Sequence, residues 1–264
     1  MNESKVALIE QVFRRVNMRK TWNLVLPLLV LFAVTPAFAK RQMSNSEITA
    51  KLQDKLYHAK VFQHGQVQVA FENGVATLTG TVDSLGAKND AARAVGKVDN
   101  VTQLVDTINV RAEDMTTRQI VQQARHEILT YPYYTIFDNL VLRPEGDKLI
   151  VSGQVTDPFK KTDIGNFLSH VKGVAELQND LEVLPVSNFD DQLRVRIARA
   201  IYRDPYFVAY GTQANPPIHI VVNNGNVTLE GVVNNQVDRV KAETAARFAG
   251  TFFSLTDNLR VERG

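Results

Sequence analysis

The chain has 264 residues, enough for one large domain or several small ones; 44% are hydrophobic and the formal charge is +2. Five basic residues against two acidic ones fall in the first 39 positions, leaving 25 against 26 beyond them. A body so close to neutral lacks the basic stripe of a nucleic-acid binder, and a chain without cysteine has no disulfide, thiolate zinc site, cysteine nucleophile or lipidated cysteine.

From Met18 the chain reads "MRKTWNLVLPLLVLFAVTPAFAK": cations, an apolar run from Leu24 to Val34, then Ala37-Phe38-Ala39. That order is a secretory signal with cleavage after Ala39, and it predicts an exported protein. The alternative is an uncleaved helix retained at the inner membrane. The run is interrupted by Pro27 and falls short of the roughly 18 to 20 residues that span a bilayer. Met18 is a candidate start, with residues 1–17 ahead of it.

Beyond the signal one ten-residue phrase returns. "NGVATLTGTV" at 73–82 becomes "GDKLIVSGQV" at 146–155 and "NGNVTLEGVV" at 224–233, and the match extends without gaps to 110, 183 and 261. In the first copy Val67, Val69 and Phe71 alternate before Asn73-Gly74, and Ala76, Leu78, Gly80 and Val82 alternate after it. Asn-Gly between alternating runs predicts a two-residue hairpin pairing Glu72 with Val75 and Phe71 with Ala76. The third copy predicts Val222 opposite Val227 and Ile220 opposite Leu229. The middle copy, with "RPEGDK", predicts a longer turn and Leu142 opposite Leu149.

A helix precedes each hairpin, marked by Ile48, Leu52 and Leu56, by Ile120, Ala124 and Ile128, and by Leu193, Ile197 and Ile201. Thr117 and Asp190 are expected caps. A second helix follows, with Ala87, Ala91, Ala94, Val95 and Val98 in copy one, Ile164, Phe167, Leu168 and Val171 in copy two, and Ala242, Ala245, Ala246 and Ala249 in copy three. Gly80 and Gly231 are read as inward positions that let this helix approach the sheet, while the larger side chains of the middle copy are expected to hold its helix higher over Gly153. The last strand carries Leu104, Ile108 and Val110, then Leu177, Leu181 and Val183, then Leu255, Leu259 and Val261. The expected fold class is α+β: three tandem two-layer sandwiches, each helix-strand-strand-helix-strand, with two helices on one face of a three-stranded sheet. Their expected bounds are 44–111, 114–184 and 188–262, after a segment 1–39.

These residues resemble the BON family, the bacterial osmotic-shock and nodulation domain, with its hairpin N-G-x-V-x-L-x-G-x-V, an Ala-rich helix, and V-x-G-V-x-x-V-x-N-x-L-x-V. The last part is fullest in "VKGVAELQNDLEV" from Val171 to Val183. The family glycine, expected left-handed after the helix, is Gly173 in copy two but Asn100 and Thr251 in the others, with Gly250 one residue early in copy three. The family Asn stands as Asp106, Asn179 and Asp257 and is read as a tie to local backbone. The repeat glycines are therefore Gly74, Gly80, Gly153, Gly173, Gly225 and Gly231. The resemblance implies a periplasmic, non-catalytic, transport-associated module, active in envelope or osmotic stress, whose partners are phospholipid surfaces or envelope proteins, with no cofactor. A protein-interaction or chaperone-like module is the alternative.

No catalytic phrase is written locally. His58, His64, His126, His170 and His219 are scattered, and there is no H-E-x-x-H, G-x-S-x-G, P-loop or G-x-G-x-x-G. No metal, small-molecule or nucleic-acid site is therefore expected. Two features suit a membrane or partner. One is the aromatic group Tyr131, Tyr133, Tyr134 and Phe137, echoed by Tyr206, Phe207 and Tyr210; Phe137 and Phe207 are expected to close the ends of the cores. The other is "RVRIARAIYR", where Arg194, Arg196, Arg199 and Arg203 border an apolar helix face.

Overall fold

The computed structural model describes residues 43–111 and 115–262. The predicted signal and most of the first linker lie outside the described residues. In the first repeat, α1 (Asn45–His58) precedes the hairpin β1 (Gly65–Glu72) and β2 (Val75–Val82), and α2 (Leu85–Gly96) leads into β3 (Gln103–Val110). The sheet order is β1-β2-β3, with β1 antiparallel and β3 parallel to the central β2. Ile48, Leu52 and Leu56 from α1 and Ala87, Ala91 and Val95 from α2 are buried against Val67, Val69, Phe71, Leu78 and Ile108.

The second repeat is α3 (Thr117–Thr130), β4 (Asn139–Glu145), β5 (Lys148–Val155), α4 (Pro158–Ser169) and β6 (Glu176–Val183), in sheet order β4-β5-β6. The third is α5 (Asn188–Tyr202), a short α6 (Val208–Gly211), β7 (Ile218–Asn223), β8 (Asn226–Val233), α7 (Gln236–Phe248), β9 (Ser254–Asp257) and β10 (Arg260–Val261). Its last strand is broken into β9 and β10, both parallel to β8 in one continuous register. Each sheet carries its own buried cluster, so the chain is an α+β series of small two-layer bodies.

The hairpin registers of the first and third repeats are as expected: Glu72 pairs with Val75, and Val222 with Val227. Asn73, Gly74, Asn224 and Gly225 all have positive φ, as the two-residue turn requires. The middle hairpin departs from expectation. Leu142 pairs with Val151 and Glu145 with Lys148, leaving a two-residue turn at Gly146-Asp147. Gly146 supplies the positive φ (65°) that makes a longer loop unnecessary.

The strand glycines act differently than expected. Gly80, Gly153 and Gly231 have φ of 127°, 117° and 122°, and a Cβ on them would stand 2.0, 2.1 and 1.9 Å from the carbonyl oxygens of Gln66, Asn139 and Pro217. The neighbouring strand, not the helix, excludes a side chain there. Gly173 does take the left-handed conformation (φ 87°), whereas Gly250, Asn100 and Thr251 do not.

The caps also shift. Thr116 caps α3 in a capping box with Gln119, and Ser187 caps α5. Asp190 is buried, and its carboxylate accepts the Asn224 and Gly225 amides (2.9 and 2.8 Å), tying α5 to the hairpin turn. At the family Asn position Asp106, Asn179 and Asp257 each accept the amide two residues on, that of Ile108, Leu181 or Leu259. The second helix reaches the same edge three times: Lys88 Nζ to the Ile108 carbonyl, the Asn179 amide to the Lys161 carbonyl, and Arg239 to Asp257. This polar residue ties a helix to the exposed edge of the sheet.

The first and second sandwiches join through Leu85 N–H to the Val174 carbonyl and Gly173 N–H to the Asp83 carbonyl, each 2.9 Å. His170 packs on Gly86 and places Nε2 3.0 Å from Asp90. The second and third sandwiches join where Ile136 and Phe137 pack on the third core. Phe137 thus seals a neighbour's core instead of its own.

Candidate functional site

The described surface holds no group of three His, Cys, Asp or Glu side chains placed to bind a metal ion, and among the described residues no helix is long and apolar enough to cross a membrane. Binding surfaces remain. On α5, Ile197 and Ile201 face the core, which turns Arg196, Arg199 and Arg203 outward along one line of the helix. These three arginines are exposed, with no ion pair or side-chain hydrogen bond among the described residues.

Arg194 is different. It is 3% exposed, and its guanidinium donates to the Val222 carbonyl at 2.6 Å and to Asp191 at 2.5 Å. Facing the sheet, it holds α5 to β7 and presents nothing to a surface.

The aromatic candidates divide in the same way. Tyr131 is buried and donates to Asp163 at 2.6 Å; burial and that carboxylate raise its pKa above the usual phenol range. Tyr210 is buried too, donating to Asp238 at 2.5 Å and accepting the Asn234 amide, and burial pushes its phenol up to about 12. Both close cores and are removed from any external contact. Tyr206 is 42% exposed but shares Asp238 at 2.5 Å and lies under the Lys241 ammonium. Burial works against the Asp238 carboxylate, yet hydrogen bonds from Tyr206, Tyr210 and Asn235 outweigh it and lower its pKa. Tyr134 is half-buried against the His219 ring, and burial raises its phenol while lowering the His219 imidazole. Tyr133 stays exposed, edge-on to Phe159.

The aromatic side chains that stand in solvent near Arg196 are others. Phe248 and Phe253 are 83% and 85% exposed, and Phe189 is 48% exposed. Antiparallel packing of α5 and α7 brings the start of one beside the end of the other, so Arg196 lies 3.5 Å from where a Cβ on Gly250 would stand. Phe253 and Phe189 flank the hairpin turn at Gly225. Sequence reasoning passed over this cluster, although one signal was present: Phe248 and Phe253 occupy the positions of Lys97 and Thr102 in copy one and of His170 and Ala175 in copy two. The third copy alone writes phenylalanine where the others write polar or small residues. The arrangement can adsorb to a surface that is apolar within and anionic outside.

Comparison with known proteins gives a family and a distant likeness. The BON domain profile matches residues 44–112 and 189–262. The residues between repeat the element order without matching it. No curated protein is significantly similar in sequence. Among solved structures, the C-terminal domain of CdsD, the structural protein of the type III secretion system of Chlamydia trachomatis, is 16% identical over 80% of this chain and 98% of its own, with a TM-score of 0.22. The periplasmic domain of PrgH is 12% identical over 78% of this chain and 100% of its own, with a TM-score of 0.20. Likeness at that level carries no statement about activity.

Proposed function

This chain belongs to the BON domain family, and from that premise we propose a non-catalytic, periplasmic binding and scaffolding protein of the cell envelope, whose third sandwich associates peripherally with phospholipid surfaces. One observation carries the reading: α5 exposes three arginines with no ion pair among the described residues, and Arg196 among them lies against Gly250, in the segment that bears the exposed Phe248 and Phe253. Burying Phe248 and Phe253 at an interface contributes about 3–6 kcal/mol, and each arginine near anionic headgroups about 1 kcal/mol. That total supports reversible adsorption without a spanning helix. A role in envelope or osmotic stress rests on the family alone.

The test is co-sedimentation of the processed chain, beginning at Lys40, with vesicles of phosphatidylglycerol or of phosphatidylcholine. Pelleting is expected with the anionic vesicles, reduced by salt through Arg196, Arg199 and Arg203 and resisting salt in the part due to Phe248 and Phe253. Charge reversal of the three arginines abolishes the preference. Equal pelleting with both vesicle types, or none, overturns the reading.

A further inference from the structure

The outer edges of the sheets are treated unequally. On β7, the Ile220 amide donates to the Ile136 carbonyl at 2.7 Å, so a stretch of the second repeat lies along that edge. The Tyr202 hydroxyl serves both remaining groups of Ile218, accepting its amide at 3.0 Å and donating to its carbonyl at 2.6 Å. The chain thus covers this edge with its own atoms.

In the second sandwich the equivalent edge is open. Leu140 opposite Gly153 and Leu142 opposite Val151 repeat the pairings of Ile218 with Gly231 and Ile220 with Leu229. Leu140 and Leu142 therefore turn the same backbone groups outward. The place of Tyr202 on the preceding helix is taken by Leu129, which has no hydroxyl to offer; β7 approaches β4, but no backbone hydrogen bond among the described residues reaches the outward groups of Leu140 or Leu142. Pro144 ends the open stretch.

A groove runs beside this edge. Two adjoining cavities of about 330 and 530 Å³ share Leu129, Tyr134, Leu140, Val141 and Arg260. Val121 and Ile128 of α3 make the floor of the first apolar, and Arg125 joins Arg260 as its charged lining. Both arginines are exposed and have no ion pair among the described residues, while the second cavity carries Glu230, already bonded to Asn258 at 2.7 Å. The positive end of the groove is the α3 end.

We propose that the β4 edge and this groove bind an extended peptide bearing an acidic group, which adds a strand to β4 and places its carboxylate between Arg125 and Arg260. Strand addition supplies both a donor and an acceptor at each outward residue, and alternate side chains enter the apolar floor. A peptide backbone repeats a donor and an acceptor at strand spacing, matching Leu140 and Leu142 together, which a phospholipid headgroup does not, and this favours a peptide here. The site is separate from Arg196, Arg199 and the phenylalanine cluster of the third sandwich.

The experiment titrates the processed chain with the fluorescein-labelled peptide Thr-Val-Thr-Val-Ser-Glu, read by anisotropy and by amide hydrogen exchange. Saturable binding is expected, with exchange at Leu140 and Leu142 slowed about tenfold or more at saturation. A peptide N-methylated at alternate residues does not bind. The double variant R125E/R260E weakens binding about tenfold or more, with exchange at Leu149 and Val151 unchanged as proof that the sandwich stays folded. Protection on β1 instead of β4, or affinity indifferent to charge reversal, overturns the proposal. So does protection of β4 that appears without peptide as protein concentration rises, since the occupant is then a second copy.

Discussion

Replacing Asp138 with Ala is expected to unfold the second sandwich and leave the other two standing. Asp138 is wholly buried, and its carboxylate accepts the amide and hydroxyl of Thr135 at 2.9 Å each and the Thr156 amide at 2.9 Å. Lys160 Nζ donates to both its oxygens, at 2.8 and 3.0 Å, and is only 5% exposed. Without Asp138 the ammonium keeps the Thr156 hydroxyl at 2.7 Å and a distant Asp157 oxygen at 3.7 Å. Breaking one side of a buried ion pair costs about 3–5 kcal/mol, before the two orphaned amides are counted. A sandwich of this size rarely has more than about 3–5 kcal/mol to lose. The assay is amide exchange across a urea series, comparing Val151 with Leu52 and Leu229. Protection of Val151 is expected to vanish in D138A while the other two hold. The D138N/K160M variant, which leaves no charge behind but keeps an acceptor for only one of the two amides, is expected to recover part of the loss. Should D138A cost less than about 1 kcal/mol, the network is not what holds this unit together.

Other tests follow from single positions. G153A forces a Cβ to within 2.1 Å of the Asn139 oxygen at φ 117°, and about 1–3 kcal/mol or more is expected to be lost in urea denaturation, with G80A and G231A alike. Burial works against the charged His170 ring, but its bonds to Asp90 (3.0 Å) and the Asn166 carbonyl (2.8 Å) outweigh this and raise its pKa. That raised value means the junction is firmest below the imidazole's unfolded pKa and loosens as pH rises through the folded one; exchange at the Leu85 and Gly173 amides reads this, and H170Q removes the dependence. Tyr210, pushed up to about 12 chiefly by burial and then by Asp238, contributes stability that is whole below the ordinary phenol value of about 10 and lost as pH climbs to its own. In Y210F that alkaline loss, followed by near-ultraviolet circular dichroism, is expected to be smaller than in the parent chain, Tyr206 and Tyr202 contributing the remainder.

The sequence by itself determined the repeat, the element order and the inward faces, because those follow from periodicity. Alternation about Asn73-Gly74 sets which side of β1 and β2 is buried, and three- and four-residue spacing sets the faces of α1, α3 and α5. Local chemistry also settled the family Asn, whose partner lies two residues away in every copy. Tertiary structure decided whatever depended on partners distant in the chain. Arg194 and Arg196 stand two residues apart in one basic helix, yet the first is buried and bonded to the Val222 carbonyl while the second faces solvent. Tyr210 looks like any aromatic until Asp238, 28 residues on, takes its hydroxyl. Gly80 is required by a carbonyl on the neighbouring strand, and Phe137 belongs to the core of the next sandwich. The physical reason is the same in each case: patterning fixes which face turns inward, but exposure and pairing are decided by what another segment places against that face.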